Sequence, residues 1–110
     1  MKKKETSGLV EYVYAVYDVK AGCYFHPYFV SRDEVAIRMF ADVVNDNDTI
    51  IGKHPEDFTL FKIASWYKVE GRIEPHSVHE SLAVGIHLVK QAPLGFEDAD
   101  EDGILKDVLY

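Results

Sequence analysis

Three stretches of this chain carry large apolar side chains on both alternations of an extended backbone. Over residues 9–19, Tyr12, Tyr14 and Val16 alternate with Val13, Ala15 and Tyr17; over 23–30, Phe25 and Phe29 alternate with Tyr24 and Tyr28; over 58–69, Leu60 and Trp66 stand against Phe61, Ile63 and Tyr67. Their β-branched and aromatic content predicts strands. Successive side chains of a strand point to opposite faces, so a sheet built from these runs is apolar on both sides and each side needs a cover. Only one segment offers a long lid. Ser31 and Glu34 have capping-box spacing, Asp33 and Glu34 sit where a helix dipole favours acids, and Ala36, Met39, Phe40, Val43 and Val44 recur at helical intervals.

The punctuation between these elements fixes their order. Gly22 after Lys20 and Ala21 predicts a hairpin turn, and Pro27 predicts that the second strand lies on an edge or carries a bulge. Glu34 to Arg38 and Arg38 to Asp42 have ion-pair spacing, and the helix is expected to stop in the run Asn45, Asp46, Asn47, Asp48. A loop to Lys53 follows, then one helical turn opened by Pro55, with His54 as its cap. A third strand over 58–69 turns at Glu70 and Gly71 into a short fourth strand, 72–74, ended by Pro75. Residues 79–88 are read as a short helix or an apolar loop, with Gly85 weakening the helix.

These elements predict an α+β fold: an antiparallel sheet of about four strands, in the order strand, strand, helix, strand, strand, with one amphipathic helix on one face. A chain of 110 residues with 47% hydrophobic residues holds one core. The expected organisation is a flexible basic N-terminus over 1–8, a single domain over 9–96 and an acidic tail over 97–110. That tail holds six acids and one base of a chain with net charge -7. No apolar run approaches the roughly 20 residues of a membrane span, and residues 1–8 lack a signal-peptide core, so no membrane partner and an intracellular location are expected. The single cysteine, Cys23, has no internal disulfide partner and is expected to be a buried thiol.

Catalytic signatures are absent from the sequence: it has no phosphate-binding glycine loop, nucleophile elbow, paired cysteines or zinc-protease helix. No catalytic residue and no cofactor are expected. His76 and His79, with His87, His54 and Cys23 elsewhere, do not by themselves make a metal site, because two spaced ligands need others brought in by the fold. Aromatic rings on a bare sheet face suit single-stranded nucleic acid, each stacked base contributing ~1 to 3 kcal/mol while cations track phosphates. The candidate rings are Tyr12, Tyr14, Tyr24, Tyr28, Trp66 and Tyr67, and the candidate cations are Lys53, Lys62, Lys68 and Arg72. The face that the helix leaves bare is expected to be covered by the C-terminal third, by a second copy of the chain, or by a ligand that takes flat aromatic surfaces.

Residues 13–21, residues 36–40 with Val44, Asn45 and Asp46, and above all residues 53–61 with the block His54, Pro55, Glu56, Asp57 resemble the small nonstructural protein of gokushovirus-type microviruses. These are bacteriophages with single-stranded DNA. The resemblance spans about residues 9 to 80 and implies a DNA-binding accessory role in genome replication or packaging, in the cytoplasm of the bacterial host. It transfers no catalytic residue. The leading expectation is thus a non-enzymatic, homodimeric protein that binds single-stranded DNA through an aromatic sheet face with a basic rim, alongside a viral replication or capsid protein. The alternative is a dimeric interaction module that binds a viral or host protein without touching DNA.

Overall fold

The computed structural model describes residues 9–90. The basic N-terminus and the acidic tail of the sequence reading lie outside the described residues, as do residues 91–96 of the expected domain. Five strands form one antiparallel sheet: β1 (Val10–Asp18), β2 (Cys23–Tyr24), β3 (Tyr28–Val30), β4 (Phe58–Tyr67) and β5 (Arg72–Val84). The order across the sheet is β2-β1-β4-β5, with β3 also paired to β1. Two helices, α1 (Asp33–Val44) and α2 (Ile50–Lys53), lie between β3 and β4, followed by a 3-10 turn at Pro55–Asp57.

The hairpin from β1 to β2 forms as the sequence predicts. Gly22 takes a φ of 72°, and the Asp18 carboxylate accepts the amides of Lys20 at 2.9 Å and Ala21 at 3.2 Å. The second run then breaks at Phe25, His26 and Pro27 into β2 and β3, both on the edge beside β1. Pro27 has no amide to donate to the ladder, so one expected strand becomes two. Cys23 stands on that edge and is exposed, which corrects the expectation of a buried thiol.

The C-terminal reading is corrected more deeply. The fourth strand does not end at Pro75 but runs 13 residues to Val84, and Gly85–Leu88 forms a second 3-10 turn where a helix or loop was expected. Pro75 is tolerated because β5 is the other edge strand. Residues 76–79 bulge out of the ladder between Pro75, opposite Ala64, and Glu80, opposite Lys62. Such a bulge disrupts edge pairing and blunts aggregation.

Helix α1 forms where its apolar periodicity predicts, but without the capping box. Arg32, extended at φ -138°, takes the N-cap position with no side-chain hydrogen bond. Glu34 pairs with Arg32 at 3.6 Å; neither Glu34 with Arg38 nor Arg38 with Asp42 forms an ion pair. Asn45 ends the helix without a left-handed backbone, at φ -94°. Its side-chain amide donates to the carbonyls of Ala41 at 2.8 Å and Leu88 at 3.0 Å, and its oxygen accepts the Lys90 amide at 2.8 Å. The expected loop before Lys53 is the short helix α2, capped by the Thr49 hydroxyl, which accepts the Gly52 amide at 2.9 Å. His54 precedes the 3-10 turn but contributes no side-chain cap.

The core lies between α1, α2 and one face of the sheet. Tyr14, Val16, Phe58 and Leu60 from the strands meet Ala36, Phe40, Val44 and Ile51 from the helices. These side chains are almost wholly removed from water, each contributing roughly 1.5–3 kcal/mol for a large aliphatic or aromatic group.

Candidate aromatic interface

Register decides which rings reach which face. On β1 the even positions Tyr12, Tyr14 and Val16 face the helices and the odd positions face away. On β4 a regular alternation would put Leu60 and Trp66 on one side. Instead Ile63 is an extra residue, since Val13 opposes Ala64 while Tyr14 opposes Lys62. Leu60, opposite Val16, is therefore core, whereas Trp66, opposite Glu11, is on the far face.

Three of the predicted rings consequently belong to the covered side, which corrects their assignment to a stacking surface. Tyr14 is fully buried and donates its hydroxyl to the Asp33 carboxylate at 2.6 Å. Tyr28 donates to the Ala36 carbonyl at 3.0 Å, and Tyr12 packs on the core beneath the Lys62 ammonium, 4.7 Å from its ring centre. Lys62 lies 3.1 Å from Asp33 and 3.7 Å from Glu80, closing a polar knot under the start of α1. Burial, then the hydrogen bond to Asp33, push the Tyr14 phenol far above the ordinary tyrosine range. Burial alone raises Tyr28 to about 12. Burial disfavours the Asp33 carboxylate too, but the hydrogen bonds from Tyr14 and Lys62 and the Lys62 charge outweigh it and hold its pKa below the usual value.

The opposite face has neither helix among the described residues. Tyr17 and Tyr24 meet edge to face with ring centres 4.8 Å apart, Phe61 joins them at 5.9 Å from Tyr24, and Phe29 meets Trp66 at 6.0 Å. Beneath these rings the small side chains of Val13, Ala15 and Ala64 are buried. The rings remain half-exposed, Tyr24 at 38% and Phe29 at 39%, and Ile73 extends the patch opposite Trp66 at 52%. Tyr24 and Trp66 are the two predicted rings on this face. Tyr17, Phe29, Phe61 and Ile73 join them from outside the predicted set. The parity of Tyr17 with Val13 and Ala15 was the available signal for the first, and the alternation of Phe29 with Tyr28 for the second; the Ile63 bulge hid that Phe61 and Trp66 share a face.

The predicted cations do not form a free rim. Lys62 is under α1 and neutralised; Lys68 pairs with Glu11 at 3.2 Å; Arg72 is held between Glu70 at 2.8 Å and Glu74 at 2.9 Å. Lys53 ends α2, on the helix-covered side. Residues 9–90 hold twelve acids and eight bases. The β4–β5 hairpin end splits the remaining candidates between the faces: Trp66 lies on the open side, near the Lys68–Glu11 pair, whereas Tyr67 points to the other side, with the Arg72 guanidinium 4.4 Å from its ring centre.

The histidines of β5 diverge. His76 bonds the Ser65 hydroxyl at 2.8 Å on the helix side, and His79 bonds the Tyr24 hydroxyl at 2.8 Å on the open side. The block His54, Pro55, Glu56, Asp57 forms the tight turn into β4, far in register from the hairpin end. Among the described residues no helix is long and apolar enough to cross a membrane.

Residues 11–88 match the family described as phage ORF5 protein. Protein ORF5 of Chlamydia phage 1 is 38% identical over 68 residues, covering 58% of this chain and 71% of that protein. No solved structure matches the chain. The chain belongs to the phage ORF5 protein family.

Proposed function

We propose that this phage ORF5 family member is a non-enzymatic accessory protein that works by docking the open aromatic face of its sheet onto a protein surface, in the first place that of a second copy. The observation that carries this reading is the composition of the face. Half-exposed Tyr17, Tyr24, Phe29, Phe61, Trp66 and Ile73 form one apolar patch, and Lys68, the predicted cation that reaches it, is neutralised by Glu11. Rigid aromatic anchors with few charges at the centre are the signature of protein interfaces. A polyanion would have to bind a body in which acids outnumber bases.

A second reading, binding of single-stranded DNA in phage replication or packaging, draws on the hairpin end. There Trp66 lies on the open face near Lys68, and the exposed pairs of Lys68 with Glu11 and of Arg72 with Glu70 and Glu74 are surface pairs that phosphates can displace.

Sedimentation of the full chain over a concentration series, with and without a labelled oligonucleotide at two ionic strengths, separates the readings. Docking on a second copy gives a monomer–dimer equilibrium that salt leaves nearly unchanged, with no oligonucleotide in the boundary. Oligonucleotide binding that weakens by roughly 0.7 log units per log unit of salt for each phosphate neutralised would overturn the first reading for the second.

A further inference from the structure

The turn between α2 and β4 carries an arrangement that neither the core nor the aromatic face uses. His54, Glu56 and Asp57 bring one imidazole nitrogen and two carboxylate oxygens within 4.8 Å of one another. The hydrogen bonds of this turn run through its backbone: the Asp57 amide donates to the His54 carbonyl, and the Val19 amide donates to the Asp57 carbonyl, both at 3.0 Å. The three side chains are left free of protein partners among the described residues. Lys53, although adjacent in sequence, forms no ion pair with either acid.

The backbone that presents them is clamped. Pro55 opens the turn with a fixed φ, and Val19 holds it from the β1–β2 hairpin. On the other side Gly85 packs so close that a Cβ there would stand 2.5 Å from the Pro55 carbonyl oxygen. The donors therefore project from one rigid platform, and only side-chain torsions have to adjust. Ligands about 2.1 Å from a tetrahedral ion stand about 3.4 Å apart, so the donors have to close from their present separation by side-chain rotation.

We propose that this turn is a binding site for a divalent transition-metal ion, held by His54 nitrogen and the Glu56 and Asp57 carboxylates with the remaining position open to water. One imidazole with two carboxylates is a nitrogen-and-oxygen donor set without thiolate, of the kind that zinc takes. Magnesium and calcium prefer all-oxygen shells.

The test uses the tag-free full chain, stripped with a chelator and titrated with zinc against a chromophoric competitor. One equivalent of zinc is expected to bind. Glu56→Gln, an exposed change on the turn, and His54→Ala are each expected to weaken binding more than about tenfold, beyond the least that loss of a supporting outer-shell group costs. Far-UV circular dichroism confirms that both variants fold. A His76→Ala, His79→Ala double variant is expected to bind as the parent does. Failure of the parent to compete for zinc overturns the assignment, as does retention of affinity in His54→Ala.

Discussion

Replacing Tyr14 by Phe removes one hydroxyl and leaves the packing of a fully buried ring in place, so it isolates the polar knot beneath α1. The hydroxyl donates to Asp33 at 2.6 Å, and Lys62 sits on the same carboxylate at 3.1 Å. A hydrogen bond to a charged group contributes about 1.5–3 kcal/mol. The Asp33 side chain is 35% exposed, so solvent supplies part of a replacement and the low end applies, about 1.5 kcal/mol. For a domain of this size that is a fall in Tm of roughly 6–12 °C. The loss also has a pH signature. Asp33 has a folded pKa held below its unfolded value, so its contribution is present above about pH 4 and is lost as the pH falls through the folded value. The difference between parent and Tyr14→Phe therefore shrinks in acid. At the other extreme Tyr14 has a raised folded pKa: its contribution is present below about pH 10 and is lost as the pH rises beyond that, a loss that the phenylalanine variant escapes. Urea unfolding at neutral, acid and alkaline pH measures all three. A neutral-pH difference under about 0.5 kcal/mol, or one that does not shrink in acid, refutes the assignment of the knot.

Other perturbations test separate parts of the fold. Gly52→Ala puts a Cβ 2.0 Å from the Asp46 carbonyl oxygen and is expected to cost at least about 2 kcal/mol in urea unfolding, whereas Gly22→Ala, strained only by its φ of 72°, costs about 1. Asn45→Ala removes three side-chain hydrogen bonds, one to Ala41 within α1 and two that tie the helix end to Leu88 and Lys90, and is expected to lower stability by about 1–2 kcal/mol and to speed hydrogen exchange at the Lys90 amide. Arg72→Ala breaks two exposed pairs and is expected to leave the urea unfolding midpoint nearly unchanged. Cys23 is expected to react with a thiol reagent in the native protein; protection released only by denaturant would contradict its exposure.

Local signals in the sequence carried the fold class well. The apolar periodicity of α1, the turn glycine at 22 and the breaking effect of Pro27 each act over a few residues, and each appears where physical chemistry places it. What the sequence hid was decided at a distance. Pro75 reads as a strand end unless β5 is known to be an edge, and residues 76–79 lose strand periodicity because they bulge. The same kind of irregularity at Ile63 sends Leu60 and Trp66 to opposite faces, which a strict alternation cannot reveal. For the candidate site the cost was larger. Tyr12, Tyr14 and Tyr28 turned inward, and the charges of Lys62 and Lys68 met an aspartate and glutamates that only the fold brings near, while Arg72 is held by its sequence neighbours Glu70 and Glu74. His76 and His79 have ligand spacing in the sequence, yet the sheet sends them to opposite sides, whereas His54, Glu56 and Asp57 are brought together only by the tight turn at Pro55.

The chain has a single tryptophan, and Trp66 stands on the open aromatic face. Its emission thus reports directly on whether that face is covered in solution. Dilution of the full chain is expected to shift the emission to the red and to raise acrylamide quenching through one monomer–dimer transition that added salt leaves in place. Emission and quenching that stay constant across the dilution, in a chain that sediments as a monomer throughout, would contradict the docking face.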